Sequence, residues 1–201
     1  MPRQRRIGLT GGIASGKSSV GRWLTGQGIP VLDADLYARQ ALEPGQAASH
    51  EVVKRYGKEV IKAGSDLESA ELDRAALGAI VFSDPSQRQW LEGLVHPLVR
   101  KQFETELKRL KSEPIVVLMI PLLFEAGLDT LCTEVWVVHC SPEQQLERLI
   151  DRNGLTTDDA EQRIQAQWPL EKKLVLADQV IDNSGAAKAW RNQASQLLAE
   201  G

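Results

Sequence analysis

Apolar and polar positions follow two rhythms along this chain. Short aliphatic runs at Ile7 to Thr10, Pro30 to Leu32, Ile115 to Ile120 and Val135 to His139 read as strands, with Val180 and Ile181 a weaker fifth. Between them the apolar residues recur at helical spacing. Strands alternating with helices predict an α/β fold, a parallel sheet covered by helices on both faces. Ser141-Pro142-Glu143-Gln144 joins an N-cap serine, a proline at the first helical position and a capping-box glutamine, so a strand-to-helix turn is expected at Cys140.

The spacing of the strands is uneven. From Leu32 to Ile115 the chain runs far beyond the roughly 10 to 12 residues that a crossover needs. Val52, Val53 and Tyr56, then Leu72, Leu77, Ile80 and Val81, then Leu91, Leu94, Val95, Leu98 and Val99 keep a helical period, which predicts a helical insertion over 36–110. A second irregularity, Asn153 to Pro169, is polar, carries Gly154 and restarts as a short helix capped by Thr156 or Thr157, with Asp158 and Asp159 in its first turn. The expected organisation is a core of 1–35, 111–145 and 177–201, the insertion 36–110, and a small helical lid over 146–176.

Composition narrows the classes. The 201 residues are 42% apolar and 25% charged, which excludes collagen-like, low-complexity and largely disordered chains. A formal charge of −3 lacks the basic footprint of a general nucleic-acid binder, so no nucleic-acid partner is expected. Charge is nevertheless asymmetric: Arg3, Arg5, Arg6, Lys17 and Arg22 all precede Asp33, the first acid. Arg3, Arg5 and Arg6 read as a basic tail that solvates the start of the chain. Cys132 and Cys140 match no zinc or disulfide pattern and are expected to be reduced, buried thiols. No run approaches the roughly 20 apolar residues of a membrane span, so no membrane partner is expected. A cytoplasmic protein is the default expectation, monomeric with an oligomer as the alternative.

The strongest chemical signal is Gly11-Gly12-Ile13-Ala14-Ser15-Gly16-Lys17-Ser18, a full match to G-x-x-x-x-G-K-[ST] placed between a predicted strand and a predicted helix. Backbone N–H groups from Gly12 through Ser19 and the positive helix start surround phosphates, Lys17 reaches the terminal ones, and the Ser18 hydroxyl holds a magnesium ion. A cation in a helix's first turn opposes the helix dipole, which favours an anion-binding role for Lys17 over a solvated one. The fold expected is therefore a P-loop three-layer fold binding ATP and Mg²⁺.

Asp33-Ala34-Asp35 follows the second strand. In a strand the period of two sends both carboxylates to one side. One then orients magnesium and the other accepts a hydroxyl proton; Asp33 is assigned the metal and Asp35 the base. The competing reading has Asp35 N-cap the next helix.

The runs Ile7 through Ser19, Asp33-Ala34-Asp35 with Ala38-Arg39, His96-Pro97, Pro121-Leu122-Leu123-Phe124-Glu125, Ala177-Asp178 and Ile181-Asp182-Asn183 together resemble the dephospho-CoA kinase family along nearly the whole chain. The resemblance implies transfer of the ATP γ-phosphate to the ribose 3′-hydroxyl of dephospho-coenzyme A. It also implies that 36–110 binds the acceptor. The family usually has glycine at Ala14 and threonine at Ser19, and many members carry an acid just before Pro121. An alanine at position 14 is expected to keep a right-handed helical or extended backbone.

Further candidates each have a competing reading. Arg148 and Arg152, one helical turn apart, reach for nucleotide phosphates or base, or form a solvated face with Glu147 and Asp151. Arg163 and Gln167 resemble the family's lid pattern or lie on the surface. Arg39 contacts the acceptor's phosphate or pairs with Asp35. His96 lines the acceptor site or marks a helix boundary before Pro97. Leu122 and Glu125 as acceptor contacts and Asn183 as an adenine contact rest mainly on the resemblance. The alternatives to this function are another P-loop small-molecule kinase, shikimate-type or nucleoside, and a nucleotide-binding module without catalysis.

Overall fold

The structure is a computed structural model of the chain, and it describes residues 4–64, 71–186 and 188–200. Arg3 lies outside the described residues. In chain order the elements are β1 (Arg5–Gly11), α1 (Lys17–Gly26), β2 (Val31–Asp33), α2 (Ala34–Ala41), α3 (Ala47–Tyr56), α4 (Arg74–Ser83), α5 (Pro85–Arg109), β3 (Ile115–Met119), β4 (Glu134–His139), α6 (Pro142–Asn153), α7 (Thr157–Gln165), α8 (Leu170–Val175), β5 (Gln179–Asp182) and α9 (Trp190–Ala199). They fall into two compact units, Met1–Asp33 with Glu106–Gly201, and Ala34–Thr105.

The first unit is a sheet of five strands, all parallel, in the order β2-β3-β1-β4-β5. All five expected strands are present. Along β1 the period of two sends Ile7 and Leu9 to one face, where they pack with Val20 and Leu24 of α1 and Trp190 and Ala194 of α9. Val117, Trp136, Val138 and Ile181 from the neighbouring strands complete that layer. Each fully buried aliphatic side chain there contributes about 1.5–3 kcal/mol of transfer free energy. From β1 the chain crosses past β3 to β2, whereas from β3 it crosses past β1 to β4. The connections thus diverge around β1, and the carboxyl end of the strand at such a divergence is where open α/β sheets bind ligands.

Local signals set the helix starts. The Ser141 capping box on α6 is complete, with Gln144 closing it, and Thr156 rather than Thr157 caps α7. Gly154 ends α6 in the left-handed conformation, at φ 62°. Arg5 departs from the solvated-tail reading. Its guanidinium pairs with Glu134 at 2.7 Å and also donates to the carbonyls of Leu197 and Leu198. Burial pushes the Glu134 carboxyl up, but hydrogen bonds from Arg5 and Trp136 outweigh it and hold the group below the ordinary carboxylate range. Both cysteines are free; Cys140 is buried and Cys132 half-buried. Burial, with the Asp129 carboxylate adding to it, pushes the Cys132 thiol up to about 12, so it stays protonated at neutral pH.

The second unit is helical, as its period predicts. Val52, Val60, Leu72, Leu77 and Val81 form its core, with Tyr56, Trp90 and Leu94 packed around them. Among the described residues one isolated antiparallel bridge, Ile61 to Leu72, interrupts the helices. The stretch 65–70 of the predicted insertion lies outside the described residues. His96 does not mark a helix boundary: Pro97 sits inside α5. The helix continues because Val95, Val99 and Phe103 recur every four residues and are all buried, which outweighs the one backbone hydrogen bond that proline removes.

Candidate active site

The phosphate loop leaves the carboxyl end of β1 and enters α1. Its first half is a turn closed by the Ser15 N–H on the Gly12 carbonyl at 3.2 Å, with Ile13 and Ala14 between. Ala14 sits at φ 60°, in the left-handed region. The expected right-handed or extended backbone is therefore wrong: the third position of a type II turn needs positive φ, and the turn imposes it on alanine at about 1–2 kcal/mol. The second half is held by Gly16, at φ 100° as the N-cap of α1. A side chain at Gly16 would strike Asn183 Nδ2. At Gly12 a Cβ would lie 2.5 Å from Gln145 Nε2. Both glycines let polar groups approach the loop backbone.

Several side chains fix the loop from outside. Asn183 donates from Nδ2 to the Ser15 carbonyl at 2.8 Å, and its own N–H donates to the His139 carbonyl at the end of β4. This contact ties the loop to the end of β5. Arg148 donates from Nη2 to the Asn183 carbonyl at 3.1 Å, while its Nη1 is buried with no hydrogen-bond partner among the described residues. Ser15 is fully buried, and its Oγ likewise lacks a partner. Lys17 is only 8% exposed, in a first helical turn that contains no acid. Ser18 and Ser19 are exposed on the following residues of α1. Beside them runs a groove of about 590 Å³, lined by Ser19, Arg22, Trp23, Arg148, Asn183 and Trp190 among others.

The acidic pair is arranged differently from the strand reading. β2 ends at Asp33, paired in register with Met119, and Asp35 lies in the first turn of α2. Strand alternation therefore does not relate the two carboxylates, because the backbone turns helical at Ala34, between them. Nor is Asp35 an N-cap, since α2 starts at Ala34. Asp35 and Arg39 are exposed on α2, and His96 is half-buried on α5.

In the sheet unit, Leu122 is half-buried and its carbonyl accepts from Ala126. Glu125 is engaged by the protein itself: Oε1 pairs with Lys173 Nζ at 2.8 Å and accepts the Trp168 N–H at 3.0 Å. Arg152 is exposed and donates to Asn153 Oδ1, and Arg163 is half-buried on α7. Two residues escaped the sequence reading. Lys173, fully buried, sits in Glu171-Lys172-Lys173-Leu174, which looks like a solvated face. Gln145 follows the capping glutamine, and nothing local marks it as the group beneath Gly12.

A parallel sheet with a glycine-rich loop after its central strand, a buried lysine opening the next helix and cations beside it defines a P-loop nucleotide-binding fold. The family model described as dephospho-CoA kinase matches residues 5–189. The dephospho-CoA kinase of Parasynechococcus marenigrum (strain WH8102) is 64% identical over 182 residues, covering 90% of this chain and 89% of that one. Among solved structures, TT1252 from Thermus thermophilus superposes with a TM-score of 0.81 at 36% identity, covering 98% of each chain. The dephospho-CoA kinase from Campylobacter jejuni superposes with a TM-score of 0.70 at 27% identity, covering 97% of this chain and 96% of its own. This chain belongs to the dephospho-CoA kinase family.

Proposed function

We propose that the chain transfers the γ-phosphate of ATP to the ribose 3′-hydroxyl of dephospho-coenzyme A, giving coenzyme A and ADP, and that the loop Gly12–Ser19 holds the triphosphate. The reading rests above all on Lys17, a cation nearly removed from solvent where the helix dipole opposes it. Lys17 and loop amides neutralise the β and γ phosphates, the Ile13 N–H, bonded to Gln167 Oε1, not among them. The groove beside Ser19 takes the nucleoside end, with the buried Arg148 Nη1 as an available donor.

In the transfer the acceptor's 3′-oxygen forms a bond to the γ-phosphorus, the bond from that phosphorus to the β–γ bridging oxygen breaks, and the hydroxyl proton passes to Asp35. Arg39, His96, Leu122 and Arg163 are the further candidates for contact with the acceptor. Arg152 stabilises developing charge. Ser18 and Asp33 are hard oxygen donors that suit Mg²⁺. The described residues contain no cluster of three or more His, Cys, Asp or Glu that would hold a metal unaided, which fits a cation that takes most of its ligands from phosphates and water. When bound, the ion neutralises charge on the β and γ phosphate oxygens. No described helix is long and apolar enough to cross a membrane.

The test is to incubate the protein with Mg²⁺, ATP and a panel of dephospho-coenzyme A, shikimate, nucleosides and water, and to identify which acceptor gains phosphate. Dephospho-coenzyme A alone should be phosphorylated rapidly. Asp35→Asn should lower turnover by about 10²–10⁴-fold with ATP affinity nearly intact. Near-normal turnover would remove Asp35 from the base role.

A further inference from the structure

The Ile13 N–H lies within the phosphate loop's tight turn, and the turn's own hydrogen bond, Ser15 to Gly12, leaves it out. Its partner comes from far along the chain: Gln167 Oε1 accepts it at 3.0 Å. Gln167 lies just beyond α7, at the end of the polar segment that follows Gly154. The position of its side chain is enforced from the other direction. The next residue, Trp168, donates its N–H to Glu125 Oε1 and stacks parallel on Phe124, with centroids 6.4 Å apart. Glu125 is held by the fully buried Lys173, whose ammonium also donates to the Pro121 carbonyl at 2.9 Å. That same carbonyl accepts the Thr10 hydroxyl at 3.1 Å, and Thr10 precedes the loop in β1. The contacts form a closed circuit: Ile13, Gln167, Trp168, Glu125, Lys173, Pro121, Thr10, and back along the chain to Ile13.

We propose that Gln167 is a positioning residue for phosphoryl transfer, holding the first half of the phosphate loop in the shape that receives the triphosphate. The turn needs holding, because Ala14 at φ 60° weakens it where glycine would not. The residue type is also informative. A carboxamide oxygen accepts the N–H without placing a negative charge beside a phosphate site, whereas a carboxylate of the same length would repel the nucleotide. Gln167 acts through the Ile13 backbone and takes no part in bond making. The inference rests on the reading that this loop binds the ATP phosphates.

The test compares Gln167→Ala and Gln167→Glu with the parent protein in kcat, KM for ATP and thermal midpoint. Gln167→Ala should lower kcat about tenfold to a hundredfold, the scale of a misplaced reacting group, with a nearly unchanged midpoint. Gln167→Glu keeps the acceptor, so kcat should stay within about threefold of the parent while KM for ATP rises about tenfold through charge repulsion. Unchanged kcat and KM in Gln167→Ala would overturn the proposal. So would tighter ATP binding, which would make Gln167 a competitor for the amide, or a loss of activity matched by loss of folded protein. Lys17→Ala in the same series separates the premise from the inference. Intact ATP binding in Lys17→Ala defeats the reading of the loop itself. Lost binding in Lys17→Ala with a silent Gln167→Ala defeats the Gln167 proposal alone.

Discussion

The sheet unit buries Thr10, Ser15, Lys17, Gln145 and Lys173, whereas the helical unit buries only Ser49 among its described polar side chains. The ion pairs of the helical unit, Glu51 with Lys54, Lys62 with Glu71 and Arg100 with Glu104, have well-exposed side chains and are each worth about 0–1 kcal/mol. Its core is apolar and asks little of electrostatics. In the sheet unit, burial of polar groups is concentrated around one loop and its supports. Removing such groups from water is costly unless each is bonded or used, so the contrast separates a unit that mainly packs from one that also organises charge.

The sharpest way to break that contrast is Lys173→Met. It leaves the Glu125 carboxylate without its cation, and Glu125 has one oxygen already buried and unpartnered, so stability should fall by about 3–5 kcal/mol in urea titration. Adding Glu125→Leu should recover most of the loss, because a packed apolar pair replaces a buried charge. A change below about 1 kcal/mol in Lys173→Met would mean the pair is solvated and the contrast overstated.

A milder effect is expected of Glu134→Gln, whose pair with Arg5 is part-buried, about 1–2 kcal/mol at neutral pH. The sign with pH is fixed. The carboxyl lies below its ordinary value of 4.5 in the folded protein, so its contribution is complete above that value and is lost as pH falls through the lower folded value. Parent and variant should therefore converge in acid. A difference that persists below both values would assign the effect to packing.

Much of this was legible in the sequence because its cause is local. The strands announce themselves as aliphatic runs, the capping box at Ser141 satisfies its own helix, and the glycine spacing of the phosphate loop is a property of one short backbone stretch. The strand reading of Asp35 failed where two local signals compete, since Ala34 starts a helix immediately after the strand's last residue, Asp33. Ala14 was misjudged because a turn closed by the Gly12 carbonyl overrides the preference of a single residue. Lys173, Gln145 and the contact of Gln167 with Ile13 were invisible for a different reason. Each depends on a partner far off in the chain, and a lysine beside another lysine on a short helix carries no mark of being buried.

The central claim is that the loop after β1 is a phosphate cradle completed by a nearly buried lysine. Calorimetric titration of ATP into the parent protein and into Lys17→Ala tests it most directly. ATP affinity should fall at least about tenfold in the variant, the scale of losing a charge-assisted contact, while the thermal midpoint without nucleotide stays close to that of the parent. Equal affinities in the two proteins would contradict the account.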